Sequence, residues 1–123
     1  MATWKELSLD NLEAAQALVA GEHWRSSVSR SYYAAYCAVS QRLAEKGVQF
    51  ARGWNNPAHD QLLALIRNGL TLPPGARHRT ATALRRLRLA RETADYRPGN
   101  PVGRALALAS YRDAGSVLQM MED

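Results

Sequence analysis

Cysteine is nearly absent from this chain: Cys37 stands alone among 123 residues. A single thiol excludes an internal disulfide framework and a cysteine-built zinc site. It suits a reducing compartment, so the expected location is cytoplasmic. Long apolar runs are missing as well. None approaches the roughly 20 residues that a membrane span needs. The opening Met1-Ala-Thr-Trp-Lys-Glu6 has no apolar stretch of the kind a secretion signal carries. The sequence therefore reads as a soluble protein with no membrane partner. It contains no glycine-rich phosphate loop, no His-Glu-x-x-His spacing and no serine-elbow motif. No metal and no cofactor is expected. Lysine is scarce too, since 14 of the 16 basic residues are arginine.

What remains is enough for one folded domain. Hydrophobic residues make up 46% of the chain, which supports a core and argues against disorder. The net charge is +5, and its distribution is uneven. Segment 77–97 holds seven arginines (Arg77, Arg79, Arg85, Arg86, Arg88, Arg91 and Arg97) against Glu92 and Asp95. That surplus of five equals the net charge, so the rest of the chain is neutral. Arginine suits bidentate contacts to phosphate. The segment is either a surface for an anionic partner or a solvated helix face.

Breakers divide the chain into helical pieces, with proline and glycine mostly at the joints and no useful β-alternation. A first helix is predicted over Ser8 to Ala20, with an earlier start if Thr3-Trp-Lys-Glu6 forms a capping box. Gly21 ends or bends it. A second spans about Glu22 to Lys46 and stops at Gly47. Its apolar face (Trp24, Val28, Tyr32, Ala35, Tyr36, Val39, Leu43) and a second face bearing Ser26, Ser29, Arg30, Tyr33 and Cys37 mark it as central. Residues 48–56 read as a loop. Asn56 then caps a third helix with Pro57 in its first turn, which Gly69 closes. Thr71-Leu-Pro-Pro-Gly75 reads as a rigid connector. A fourth helix is predicted from Arg77 to Tyr96, and a fifth follows, capped by Asn100 with Pro101 in its first turn. Amphipathic helices with short joints predict an all-α, up-and-down bundle of four to five helices in a single domain, 1–123.

The fourth helix carries an anomaly. With Leu84 placed at 0°, Leu87 falls at about 300°, Arg91 at about 340° and Asp95 at about 20°. Two charges on an apolar stripe need partners, because an unpaired buried charge is costly. They form either an ion pair that holds the bundle, alone or with Arg30 or a tyrosine hydroxyl, or a polar pocket between helices or subunits. Other candidates carry less signal. His59 lies near a helix start on an apolar stripe, where a packed histidine is the plainer reading. His23 and His78 have no evident partners. Tyr32, Tyr33 and Tyr36 read as core and interface groups rather than base-stacking platforms.

Three stretches resemble the HEPN domain family. Ser29-Arg-Ser-Tyr-Tyr-Ala-Ala-Tyr36 is similar to the small-Arg-x-Tyr-Tyr-Ala-x-aromatic stretch of its second helix. His59 falls where these proteins often carry histidine. Arg91-Glu-Thr-Ala-Asp-Tyr96 is similar to the Arg-x-x-Ala-Asp-Tyr signature late in the fourth helix. Order and spacing match from about residue 8 to 120. The nearest likeness is to small single-domain prokaryotic members.

The resemblance implies a HEPN-like helical bundle, commonly a homodimer. It implies RNA or nucleotide binding, with Arg30, Tyr33, Arg85, Arg88, Arg91, Asp95 and Tyr96 as ligand-binding candidates. It also implies a toxin–antitoxin or defence-type pairing with a nucleotidyltransferase. Many family members are metal-independent ribonucleases, in which an arginine is followed after four to six residues by histidine. Here those positions after Arg91 are Tyr96, Arg97 and Pro98, so the histidine is missing. A ribonuclease reading would need Arg91, Asp95 and Tyr96 to work with His59 or His78. A third reading is a module that binds an acidic protein surface.

Overall fold

The computed structural model describes residues 2–48 and 57–122. Its helices are α1 (Trp4–Ala20), α2 (Trp24–Glu45), α3 (Leu62–Gly69), α4 (Pro74–Tyr96) and α5 (Arg104–Glu122), with a 3-10 turn at His59–Gln61 before α3. The described residues form no strand. The all-α bundle expected from the periodicity is the one observed.

Thr3 caps α1. Its hydroxyl accepts the Glu6 N–H at 3.1 Å and donates to the Glu6 carboxylate at 3.3 Å, so α1 begins before Ser8. Gly21 is not the left-handed residue at its end. That conformation falls on Glu22, with φ +62°. The His23 N–H reaches the Leu18 carbonyl at 2.8 Å and the Glu22 N–H reaches Val19 at 3.1 Å, which is a Schellman closure. The end of α2 repeats the device around Gly47, at φ +72°: Val48 bonds back to Leu43 and Gly47 to Ala44, each at 3.1 Å.

Three predicted starts need correction. Pro57 precedes α3 rather than opening it, because its carbonyl is held by the Tyr36 hydroxyl at 2.6 Å. The proposed Asn56 cap, and the loop beyond Val48, lie outside the described residues. α4 starts at Pro74, so Pro74 and Gly75 belong to the helix and not to a connector; proline in the first turn forfeits no internal bond. α5 starts at Arg104, and Asn100 does not cap it directly. The chain from Pro98 to Asn100 is instead drawn toward Arg25.

That arginine sits in the first turn of α2, where a cation opposes the helix dipole. It closes the far end of α4. Its Nη1 donates to the carbonyls of Thr93 (3.1 Å), Ala94 (3.0 Å) and Arg97 (3.3 Å). Its Nη2 donates to Pro98 at 3.3 Å and to Asn100. Within α4 the Ala94 carbonyl gains this charged partner, and the Thr93 carbonyl takes it beside the Arg97 N–H.

α2 is the central helix, packed against α1, α4, α5 and the shorter α3. Its Val28, Tyr32, Ala35, Val39 and Leu43 are almost fully buried. The main core joins Tyr32, Tyr36, Leu43, Ile66, Leu84, Leu87 and Val117. A smaller cluster of Val28, Ala90, Ala94 and Ala107 fastens the Arg25 end. On α4 the buried stripe runs through Thr80, Ala83, Leu84, Leu87, Ala90 and Ala94. Small alanines let α4 approach α2 closely. They also move the stripe, so Arg91 and Asp95 stand at its edge instead of on its axis.

Candidate functional site

Where α2 and α4 cross, Arg91 lies among tyrosines. Its Nε donates to Asp95 Oδ2 at 3.2 Å, one helical turn on. Its Nη2 donates to the hydroxyls of Tyr33 at 3.1 Å and Tyr96 at 3.2 Å. The guanidinium carbon stands 5.7, 5.4 and 5.3 Å from the ring centroids of Tyr32, Tyr33 and Tyr96, within cation–π range. Ser29, one turn before Tyr33 on α2, donates to the same Asp95 oxygen at 3.2 Å. Burial works against the Arg91 charge. Tyr33, Tyr96, Asp95 and Tyr32 outweigh it and hold the guanidinium above its ordinary pKa.

The two structural alternatives raised by the sequence are both partly realised. Arg91 and Asp95 form an ion pair, and tyrosine hydroxyls join it, yet the pair is not sealed. Their side chains are 18% and 29% exposed. Tyr96 beside them is 67% exposed.

His59 enters the same cluster from the turn before α3. Its ring stacks on Tyr36 at 4.3 Å, meets Tyr32 at 5.6 Å and meets the edge of Tyr33 at 6.1 Å. Its Nδ1 is 2.5 Å from the Tyr32 hydroxyl. Burial pushes the Tyr32 hydroxyl well above the usual phenol pKa, so it keeps its proton. The hydroxyl and Nδ1 share this bond, and the His59 tautomer sets which of them donates. Burial, with Arg91 and Arg88 adding to it, holds the imidazole pKa below its ordinary 6.5.

Beside His59 a cavity of about 240 Å³ opens between α3 and α4. Tyr32, Leu62 and Leu84 form apolar walls, and Arg85, Arg88 and Glu92 line it as well. Arg88 is anchored there: Nη1 donates to the His59 carbonyl at 3.1 Å, and Nε lies 3.6 Å from Glu92. Arg85 has no ion-pair partner among the described residues.

The fold thus brings Tyr33, Arg91, Asp95, Tyr96 and His59 together, with Arg85 and Arg88 adjoining. Arg30 is not brought to the cluster: it turns to α1 and donates to Asn11 at 3.2 Å. His78 is not brought there either. It lies thirteen residues before Arg91 on the same helix, about 20 Å along the axis, so it cannot supply the missing histidine. Arg86 and Arg77 are also spent elsewhere, on Asp113 and on the Arg67 carbonyl. Arg25 and Ser29 are not among the candidate site residues, yet both make bonds at or beside this cluster. Arg25's one sequence signal is a cation in the first turn of a helix. Ser29 is marked by its place on the second face of α2, one turn before Tyr33, at the head of the Tyr-Tyr stretch. No group of three His, Cys, Asp or Glu that could hold a metal ion occurs among the described residues. No helix among them is long and apolar enough to cross a membrane.

Comparison with known proteins agrees with this architecture. Neither the curated proteins nor the solved structures include a match to the chain. The family profile of the HEPN domain matches residues 1–123, the whole chain, and the protein therefore belongs to the HEPN domain family.

Proposed function

We propose that this HEPN protein binds a phosphate-bearing ligand, RNA or a nucleotide, at the junction of α2, α3 and α4, and that it acts by binding rather than by cleaving. The observation that carries the reading is the half-open cluster around Arg91, flanked by Arg88 and by Arg85, which has no ion-pair partner among the described residues. Arg91 is fixed by Asp95 and two phenols, so little ordering remains when a phosphate arrives. Arg85 and Arg88 add attraction that does not depend on base sequence.

A ribonuclease is the second reading, favoured by the presence of His59 in the same aromatic cluster. Against it stands the state of that ring. Its Nδ1 is already bonded to the Tyr32 hydroxyl, and burial, with Arg91 and Arg88 beside it, lowers the imidazole's affinity for a proton. Growth arrest on induced expression, relieved by Arg91→Ala, would restore the nuclease reading.

The proposal extends to a homodimer. Leu89 is 59% exposed on α4 beside the site, and a second copy would cover it. It extends also to a nucleotidyltransferase partner, as the family resemblance implies. Sedimentation tests the first, and co-purification with the product of a neighbouring gene tests the second.

The ligand is tested by titrating a fluorescent RNA oligonucleotide and adenosine monophosphate across a salt series. For RNA, log affinity should fall linearly with log salt, and Arg85→Ala or Arg88→Ala should lower the slope by about one each. Absence of affinity for both at low ionic strength removes the proposal.

A further inference from the structure

Arg91 spends Nε and Nη2 on other side chains. Nε faces Asp95, and Nη2 is divided between Tyr33 and Tyr96. Both phenols accept from it. A phenol that accepts still has its own O–H to give, and neither O–H meets an acceptor among the described residues. Two hydroxyls are therefore fixed around one cation, each polarised by a charge-assisted bond. Tyr33 is partly buried and Tyr96 is mostly exposed, so their free protons border solvent. The nearby carboxylate is already engaged, since Asp95 Oδ2 takes both Arg91 and Ser29. Of the carbonyls in the last turn of α4, those of Thr93 and Ala94 are covered by Arg25.

We infer that the phosphate is gripped by the hydroxyls of Tyr33 and Tyr96, and that Arg91 is a positioning residue that holds and polarises them. This rests on the phosphate-binding reading of the site. It assigns the direct contacts to a pair of neutral donors, which suits an acceptor-only anion and disfavours a metal ion or an ammonium group. Arg85 and Arg88 contribute long-range charge, and the tyrosines contribute the directional bonds.

Uncharged donors can be separated from charged ones by salt. Tyr33→Phe and Tyr96→Phe remove one oxygen each and no charge. Each should weaken binding of the RNA oligonucleotide and of adenosine monophosphate about tenfold. The log–log salt slope for RNA should stay at the wild-type value, whereas Arg88→Ala lowers it. Adenosine, which lacks the phosphate, should not distinguish the variants. Arg91→Lys keeps the charge but cannot hold Asp95 and both phenols. It should cost as much as the double phenylalanine variant, and in its background the Tyr→Phe changes should cost nothing more. If Tyr33→Phe melts early, the exposed Tyr96→Phe decides.

Wild-type affinity in both phenylalanine variants overturns the inference and leaves the phosphate reading standing. A fall in salt slope on Tyr→Phe, or equal losses for adenosine, also overturns it. No binding by the wild-type protein overturns both.

Discussion

Replacing Arg25 by alanine should both loosen the fold and blunt the site. One guanidinium supplies the donors for five carbonyls at the end of α4 and in the turn that follows. Hydrogen bonds to a charged group contribute about 1.5–3 kcal/mol each when measured singly. They do not add when one side chain makes them all. Three of the acceptors, on Arg97, Pro98 and Asn100, are exposed and would recover water. Thr93 and Ala94 are the less accessible pair, and the Ala90–Ala94 cluster beside them would lose its clasp. The net cost should be about 2–4 kcal/mol, which lowers the melting temperature of a domain this size by on the order of 10 °C. Circular dichroism at 222 nm across a thermal ramp measures it. Arg25→Lys should recover less than half, because one ammonium cannot span five carbonyls. Phosphate affinity should fall alongside, since Asp95 and Tyr96 sit in the turn that Arg25 closes. A melting temperature within about 2 °C of wild type for Arg25→Ala would refute the reasoning.

Four further outcomes follow from the geometry. Glu22→Gly should stabilise the protein by about 1 kcal/mol in urea unfolding, because Glu22 holds a left-handed φ of +62° that glycine adopts without cost; a loss of stability would contradict it. Leu87, fully buried between α4 and α2, should cost about 2–5 kcal/mol on change to alanine, and a smaller cost would show that the core collapses onto the space. His59 has a lowered pKa in the folded protein, so the unfolded chain takes up its proton first as pH falls. Stability should be full above 6.5 and decline below it toward the folded value. His59→Gln should flatten that decline, and an unchanged slope would count against the assignment. Burial pushes the Cys37 thiol up to about 11, so its reaction with a thiol reagent at neutral pH should be slow until the protein unfolds; fast labelling of the native protein would contradict that burial.

Much of the architecture was legible because it depends on local chemistry. The Thr3 cap, the Gly47 stop and the two-faced pattern of α2 are each written within a few residues. Helix starts were less legible where tertiary bonds decide them. Tyr36 fixes Pro57 from another helix, and Arg25 gathers Pro98 and Asn100 from about seventy residues away. The site divides in the same way. Arg91, Asp95 and Tyr96 share one helix, so periodicity placed them together. It misjudged their depth because alanine counts weakly in a stripe, yet Ala90 and Ala94 are the residues that face the core. The company of His59 and Tyr33 with Arg91 depends on how three helices cross. Nor does the sequence distinguish an arginine paired with Asp113, like Arg86, from one like Arg85 that has no ion-pair partner among the described residues.

The central claim is that phosphate binds at the junction of α2, α3 and α4. Backbone amide shifts recorded while adenosine monophosphate is added test it most directly. The account predicts that the largest changes fall at Ser29, Tyr33, His59, Arg88, Arg91 and Tyr96, and that Arg91→Lys abolishes them. Changes centred instead on His78 and Arg79 at the other end of α4, or spread evenly over the surface arginines, would contradict it.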